Sequence, residues 1–462
     1  MTNNFNNLHA SFKINASVVT CALVVEYDAN QNSKDLYHTF YDVIEKRIFR
    51  NKEEMPKLFS SLNKYCGYGF LKRTEMNTQE CIKRINFVME DKREINKEDL
   101  LNYLIENYHK PLPRNNEILW DIHVCENSIK WNKNNSKFYP IIIRFHHVIG
   151  DGINLQKFLF TTLADKNDQV FKSFSTFKVT SGFWRKFVKV LYLMALFSWK
   201  VFCIFVIKGK DKHILCGKPH SGKETLVINF DIEGEYFKKL KCVKKKLSNA
   251  YFSETLLTVL SASLSDYFKE NSPNKVEFIS VILPTISKQN ISIPLEGVVM
   301  ENITLTNNYA MNSLLLPIHI ENFEKFDKKA SLTSRLKLIQ RQINAIKSER
   351  AVYYILTQFI TGVFPLWLAR ATSSIFTYTS AFSFLPPIPQ VTFADGAIVG
   401  TSLCFWVPRF TLFSVNISSM TYDNKLIIAM NVDDAYFDRK TAQKIIDDVY
   451  KYIDKFSIEI GV

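Results

Sequence analysis

A chain of 462 residues, 47% hydrophobic and 23% charged, is longer than one ordinary domain and too apolar to be largely disordered, so two packed domains or one two-lobed unit is expected. Its 59 Lys and Arg against 45 Asp and Glu leave a net charge of +14, which suits anionic partners such as coenzyme A phosphates or an acidic lipid surface. No basic motif interleaved with aromatic residues accompanies that charge, so nucleic acid is not expected as a partner.

The eight cysteines (21, 66, 81, 125, 203, 216, 242 and 404) contain no CxxC pair, which fits reduced thiols and offers no metal-ligand spacing. Met1 to Phe12 has neither a basic nor an apolar signal region, so no cleaved signal peptide is expected. No internal repeat is visible.

Along the chain, the run Ile141-Ile142-Ile143-Arg144-Phe145 reads as a mostly buried strand. After Gly152, the residues Leu155, Phe158, Leu159 and Leu163 share one helical face, so this region is strand, tight turn and helix. Phe183 to Ile207 is an apolar segment whose Arg185, Lys186, Lys189 and Lys200 fall in one helical sector. A single span there would put the two halves on opposite sides of a bilayer, so an in-plane or re-entrant membrane contact is expected ahead of a helix buried in protein, and a crossing last.

Lys208 to Lys223 is charged and contains glycine, making it the candidate link between lobes 1–207 and 208–462. Phe237, Leu240, Val243 and Leu247 recur at helical spacing among Lys238, Lys239, Lys241, Lys244, Lys245 and Lys246, which predicts an amphipathic helix with a solvated basic face. Ala351 to Pro387 reads as a core helix pair or an acyl-chain-lining surface, with Pro365 and Arg370 arguing against a span. Val415 to Tyr422 and Lys425 to Val432 predict two strands around an Asp423-Asn424 turn. Asp438 then precedes a helix over Arg439 to Phe456. Strands alternating with helices indicate an α/β protein.

The chemistry concentrates at His146-His147-Val148-Ile149-Gly150-Asp151-Gly152. At a strand end, adjacent histidines point to opposite faces, so one can act while the other packs behind it. A neutral imidazole can take a proton from a hydroxyl and return it to a leaving group, and His147 is the expected base. Asp151 is expected to brace the turn or pair with a buried arginine, and the glycines to supply unusual backbone angles. No third ligand is spaced near the histidines, so no metal site is expected. The remaining seven histidines read as solvent or packing residues.

These residues resemble the wax ester synthase/diacylglycerol acyltransferase group of the HHxxxDG superfamily of CoA-dependent acyltransferases. Pro111-Leu112-Pro113-Arg114 to Leu119-Trp120-Asp121 is similar to that family's segment ending in Pro-Leu-Trp-Glu. Ser221-Gly222-Lys223, Leu283-Pro284, Asn302, Phe393 to Val399 and Asn416 to Asp434 resemble further family positions, so the likeness spans about Asp99 to Phe456. Two positions depart from it: Ser253-Glu254 stands where the family carries Asn-Asp, and Ser383-Phe384-Leu385-Pro386-Pro387-Ile388 where it carries Ser-Asn-Val-Pro-Gly-Pro.

The resemblance implies a two-lobed, chloramphenicol-acetyltransferase-like α/β fold with an active-site tunnel between the lobes. It implies fatty acyl-CoA as co-substrate, no bound cofactor, and diacylglycerol or a long-chain alcohol as acceptor, with His147, His146, Asp151 and Gly152 as site residues. Coenzyme A contacts are not assigned to residues. A membrane surface is the expected partner, at the cytosolic face of the endoplasmic reticulum. Transfer to another alcohol or amine, or a catalytically silent lipid-binding protein on the same fold, are the alternatives.

Overall fold

The computed structural model describes residues 17–28, 34–87, 94–131, 136–165, 211–247, 249–286, 305, 307, 309–320, 331–363, 365–368, 378–409 and 413–462, with side chains of the 331–363 segment described to residue 347. The apolar segment 183–207 and Asn302 lie outside the described residues. Among those described, no helix is long and apolar enough to cross a membrane.

Two six-stranded sheets organise the chain. The first contains β1 (Val18–Glu26), β4 (Ile82–Ile85), β5 (Trp120–Cys125), β6 (Phe138–His146), β11 (Thr392–Phe393) and β12 (Ile398–Trp406), in the order β11-β12-β1-β6-β5-β4. The second contains β7 (Glu224–Phe230), β8 (Phe278–Ile286), β9 (Tyr309–Pro317), β10 (Ser380–Phe384), β13 (Val415–Tyr422) and β14 (Lys425–Asp433), in the order β7-β14-β13-β10-β8-β9. A hairpin of β2 (Ser60–Tyr65) and β3 (Tyr68–Arg73) stands apart as its own two-stranded sheet. The second half of the chain thus contributes β11 and β12 to the first sheet, and β12 pairs with β1 from Thr20↔Trp406 to Glu26↔Val399.

Side-chain alternation explains how the sheets pack. On β7, Leu226 and Ile228 join the first core while Val227 joins the second. On β14, Ile427 and Ala429 face the first core, and Leu426, Ile428, Met430 and Val432 the second. A strand with apolar residues on both faces is buried on both sides, so this part of the second sheet lies between two cores. Its outer core is closed by helices α4 (Glu235–Lys246), α5 (Phe252–Asn271) and α7 (Arg439–Ile460). The longer helices elsewhere among the described residues are α1 (Leu36–Arg47), α2 (Lys97–Tyr108), α3 (Gly152–Phe158) and α6 (Leu332–Val363), beside two four-residue helices at Thr78–Cys81 and Pro113–Asn116.

The local expectations meet different outcomes. The basic helix forms as α4, burying Phe237, Leu240 and Val243 and leaving most of its lysines outside. The closing strand-turn-strand-helix forms as β13, β14 and α7, with positive φ at Asp423 and Asn424 and the Asp438 side chain capping Thr441 N. Within Ala351 to Pro387, residues 351–363 continue the 32-residue α6, residues 366–368 are again helical, and Ser380–Phe384 is a parallel strand against β13, while residues 369–377 lie outside the described residues. Phe382 and Ser383 alternate across that sheet, a period-2 signal hidden in a generally apolar stretch.

The strand that carries the histidines is fixed most firmly. β6 runs antiparallel between β1 and β5. Beside it, Trp120 is fully buried, stacks on Phe145 and donates through Nε1 to Leu58 O at 2.9 Å. The next residue, Asp121, receives Arg144 Nε at 2.8 Å and Nη2 at 2.5 Å. Arg144 Nη1 also donates to Asn107 O and Lys110 O. Burial alone would raise the Asp121 carboxyl, but hydrogen bonds from His123 and Arg144 hold it well below the usual carboxylate range. Breaking such a pair strands a buried charge. Asp121→Ala is expected to cost about 3–5 kcal/mol of stability, measured as a lower midpoint in urea unfolding.

Candidate active site

His146 and His147 close β6, and Asp151 and Gly152 open α3 immediately after it. The alternation of a strand sends the two imidazoles in opposite directions, and their hydrogen bonds differ accordingly. The Val148 N–H donates to His146 Nδ1 at 3.1 Å, so the proton of the neutral ring sits on Nε2, which is buried with no hydrogen-bond partner among the described residues. Burial, reinforced by His147 and Lys64, pushes the His146 pKa down to about 3.

His147 is held by Asn307. The Asn307 Nδ2 group donates to His147 O at 2.8 Å, which leaves Asn307 Oδ1 as the acceptor facing His147 Nδ1 at 3.2 Å. That arrangement places the proton on Nδ1 and the lone pair on Nε2. Burial lowers the His147 pKa to about 4, opposed by its own carbonyl and by Asn307. At neutral pH the ring is therefore the free base. Tyr309, two residues past Asn307, lies with its ring centroid 6.2 Å from that of His147, and burial keeps its hydroxyl protonated.

Asp151 caps α3: its Oδ1 accepts from Asn154 N at 2.9 Å, and both oxygens accept from Asn154 Nδ2 at 3.1 Å. The buried arginine of this region, Arg144, pairs with Asp121 instead. Lys57 faces Asp151 with a largely buried ammonium that lacks a hydrogen-bond partner among the described residues, and burial lowers its pKa to about 8 against the attraction of Asp151.

Gly152 does not adopt the unusual backbone angle expected of it; its φ lies outside the left-handed region. The glycine is required by proximity, because a Cβ there would stand 3.2 Å from Leu385 Cδ2. Leu385 belongs to the Ser383–Ile388 segment, and Gln156 of α3 donates to Pro386 O in the same segment at 3.1 Å. The segment that departs from the family pattern therefore packs directly on the start of α3. The other departure, Glu254, accepts from Tyr251 N at 2.9 Å and meets Gln340 and Lys347 of α6, so it ties the start of α5 to α6.

Asn307, Tyr309 and Lys57 were not singled out from the sequence. The asparagine was sought at Asn302; the polar run Thr306-Asn307-Asn308 before a strand was the available signal. Among the described residues one cluster has the donors of a cation site, Asp211, His213 and Cys216. There Asp211 Oδ2 accepts from Ser280 N and Oγ and from Thr379 Oγ1, and Thr379 Oγ1 lies 2.9 Å from His213 Nε2. Burial alone would lower His213, but the hydrogen bonds and charges of Asp211 and Cys216 together raise it to about 9. These bonds anchor residues 211–216 to the second sheet.

Residues 307–456 match the WS/DGAT C-terminal domain, which begins at the asparagine that holds His147. Over those residues the chain is similar to the WS/DGAT family. That match supports an acyltransferase. Solved structures share its two-lobed fold at low identity. A wax ester synthase/diacylglycerol acyltransferase from Marinobacter aquaeolei VT8 aligns over 100% of both chains at 11% identity with a TM-score of 0.62. A trichothecene 15-O-acetyltransferase from Fusarium sporotrichioides covers 99% of this chain and 94% of its own at 13% identity, TM-score 0.66. A starter condensation domain of rhizomide synthetase, solved with C8-CoA, covers 99% and 94% at 8% identity, TM-score 0.60. No curated protein matches the sequence.

The two histidines contribute to the acid behaviour of the chain. Their folded pKa values of about 3 and about 4 lie below the ordinary 6.5, so between those limits the unfolded chain binds more protons than the folded one. Their contribution to stability is complete above pH 6.5 and falls as pH drops toward 4. The acid limb of kcat/KM is expected near pH 4 rather than 6.5 in a pH–rate profile.

Asn307→Ala is expected to reduce kcat about 100-fold with little change in KM, because the imidazole loses its fixed orientation. Asn307→Asp should move the acid limb upward, since a carboxylate favours the imidazolium. Steady-state kinetics across pH measures both.

Proposed function

We propose that this protein transfers a fatty acyl group from acyl-CoA to the hydroxyl of diacylglycerol or a long-chain alcohol, with His147 as general base. The observation that carries the reading is the Asn307 clasp, which puts the imidazole lone pair on Nε2 while keeping the ring neutral and oriented.

In this mechanism Nε2 takes the acceptor's hydroxyl proton as its oxygen attacks the thioester carbonyl. The tetrahedral intermediate then collapses, the carbon–sulfur bond breaks, and the imidazolium returns the proton to the leaving thiolate. The ester and free coenzyme A are the products, and no acyl-enzyme forms. Asn307 Oδ1, accepting from Nδ1–H, stabilises the charge that develops on the ring.

Asp151 and Gly152 act on geometry in this reading, one by starting α3 and the other by admitting Leu385. His146 serves as packing behind the base. The excess of positive charge supports a place on an anionic membrane face, proposed as the cytosolic side of the endoplasmic reticulum.

Incubation of His147→Ala and wild type with labelled acyl-CoA and either acceptor tests the reading. The wild type is expected to esterify at least one acceptor, and the variant to lose more than about 1000-fold in rate while retaining the wild-type unfolding midpoint. Equal activity of the two proteins would remove His147 from the base role.

A further inference from the structure

The β2–β3 hairpin has no place in either large sheet, and its outward face is aromatic. Its two-residue turn, Cys66-Gly67, has φ of 48° and 77°, the twist of a tight type I′ connection. The register opposes Tyr65 to Tyr68, Asn63 to Phe70 and Leu62 to Leu71. Alternation therefore puts Tyr65, Tyr68, Phe70 and Lys72 on one face and Leu62, Lys64 and Leu71 on the other.

The second face turns inward: Leu62 and Leu71 pack on the first core, and Lys64 is close enough to His146 to disfavour its protonation. The first face is open, with Tyr65 72%, Tyr68 40% and Phe70 37% exposed. Residues 365–368 sit on the turn, where Leu366 N donates to Gly67 O at 2.6 Å and Trp367 is 68% exposed. Four large aromatic side chains thus crowd one protruding tip.

A bare two-stranded hairpin is marginal in water, and exposed Trp and Tyr in one patch are an aggregation hazard unless something covers them. Such rings sit favourably at the boundary between lipid headgroups and acyl chains, with the apolar body inward and the polar edge wet. Lys72 on the same face suits anionic headgroups.

Arg73, next in the strand, alternates to the opposite face and pairs with Glu53, so Lys72 carries the positive charge of this face. The base of the hairpin lies three residues from Lys57, the lysine that faces Asp151. Lys64, beside the turn, lies near His146, so a docked tip stands close to the histidines.

We infer that the Tyr65, Tyr68, Phe70 and Trp367 tip docks the protein on an anionic lipid surface. Docking there holds the site against the phase in which a lipid acceptor dissolves, a consequence that rests on the proposed lipid substrate. The docking itself does not, and it is measured without turnover.

The test is flotation of the full chain with phosphatidylcholine vesicles, with and without phosphatidylserine. The wild type is expected to float with the phosphatidylserine vesicles. Tyr65→Ser combined with Trp367→Ser should bind at least about tenfold more weakly. Lys72→Glu should weaken binding to the anionic vesicles alone.

Undiminished flotation of the double variant overturns the inference. So does a wild-type dimer in size-exclusion chromatography that the double variant converts to monomer, since a second copy would then be what covers the patch. An unchanged urea midpoint distinguishes lost docking from lost folding.

Discussion

The two hydrogen bonds between Asn307 and His147 constrain one residue at two points, ring and backbone, with a partner from the far half of the chain. A single bond would leave the imidazole free to pivot; the pair fixes tautomer and orientation together. Much of the surrounding structure holds the two ends of that clasp in place. On one side, Trp120 and the Asp121–Arg144 pair fasten β6 to β5. On the other, β9 begins two residues after Asn307 and pairs with β8 from Ile286↔Tyr309 to Phe278↔Pro317.

The parts of this arrangement legible in the sequence are those encoded locally. The β13–β14 hairpin and α7 follow from alternating apolar residues, an Asp-Asn turn and an Asp cap. The strand before His146 follows from its continuous apolar run. Asn307 was not legible because its importance comes from a partner 160 positions away, and no periodicity marks it among neighbouring asparagines. Gly152 was expected to supply an unusual backbone angle, which it does not adopt. Its constraint is the approach of Leu385, a contact between distant segments, and not its own dihedral angles.

The departures from the family pattern acquire separate meanings once placed. Glu254 has become a bracket between α5 and α6, and its carboxylate is consumed by that task. The Ser383–Ile388 segment borders the catalytic turn, where Leu385 and Pro386 touch Gly152 and Gln156. Changes in its side chains therefore alter the packing at the start of α3, just after the turn that follows His147.

The insertion of β12 beside β1 also bears on how the protein is made. β1 emerges early from the ribosome, yet one of its two edges is closed only by residues 399–406. Until those residues are synthesised, that edge offers unpaired N–H and C=O groups and apolar side chains to any passing strand. Folding of the first lobe cannot be finished domain by domain as the chain appears. The edge of β1 stays open until residues 399–406 are made, so both lobes must assemble together after them.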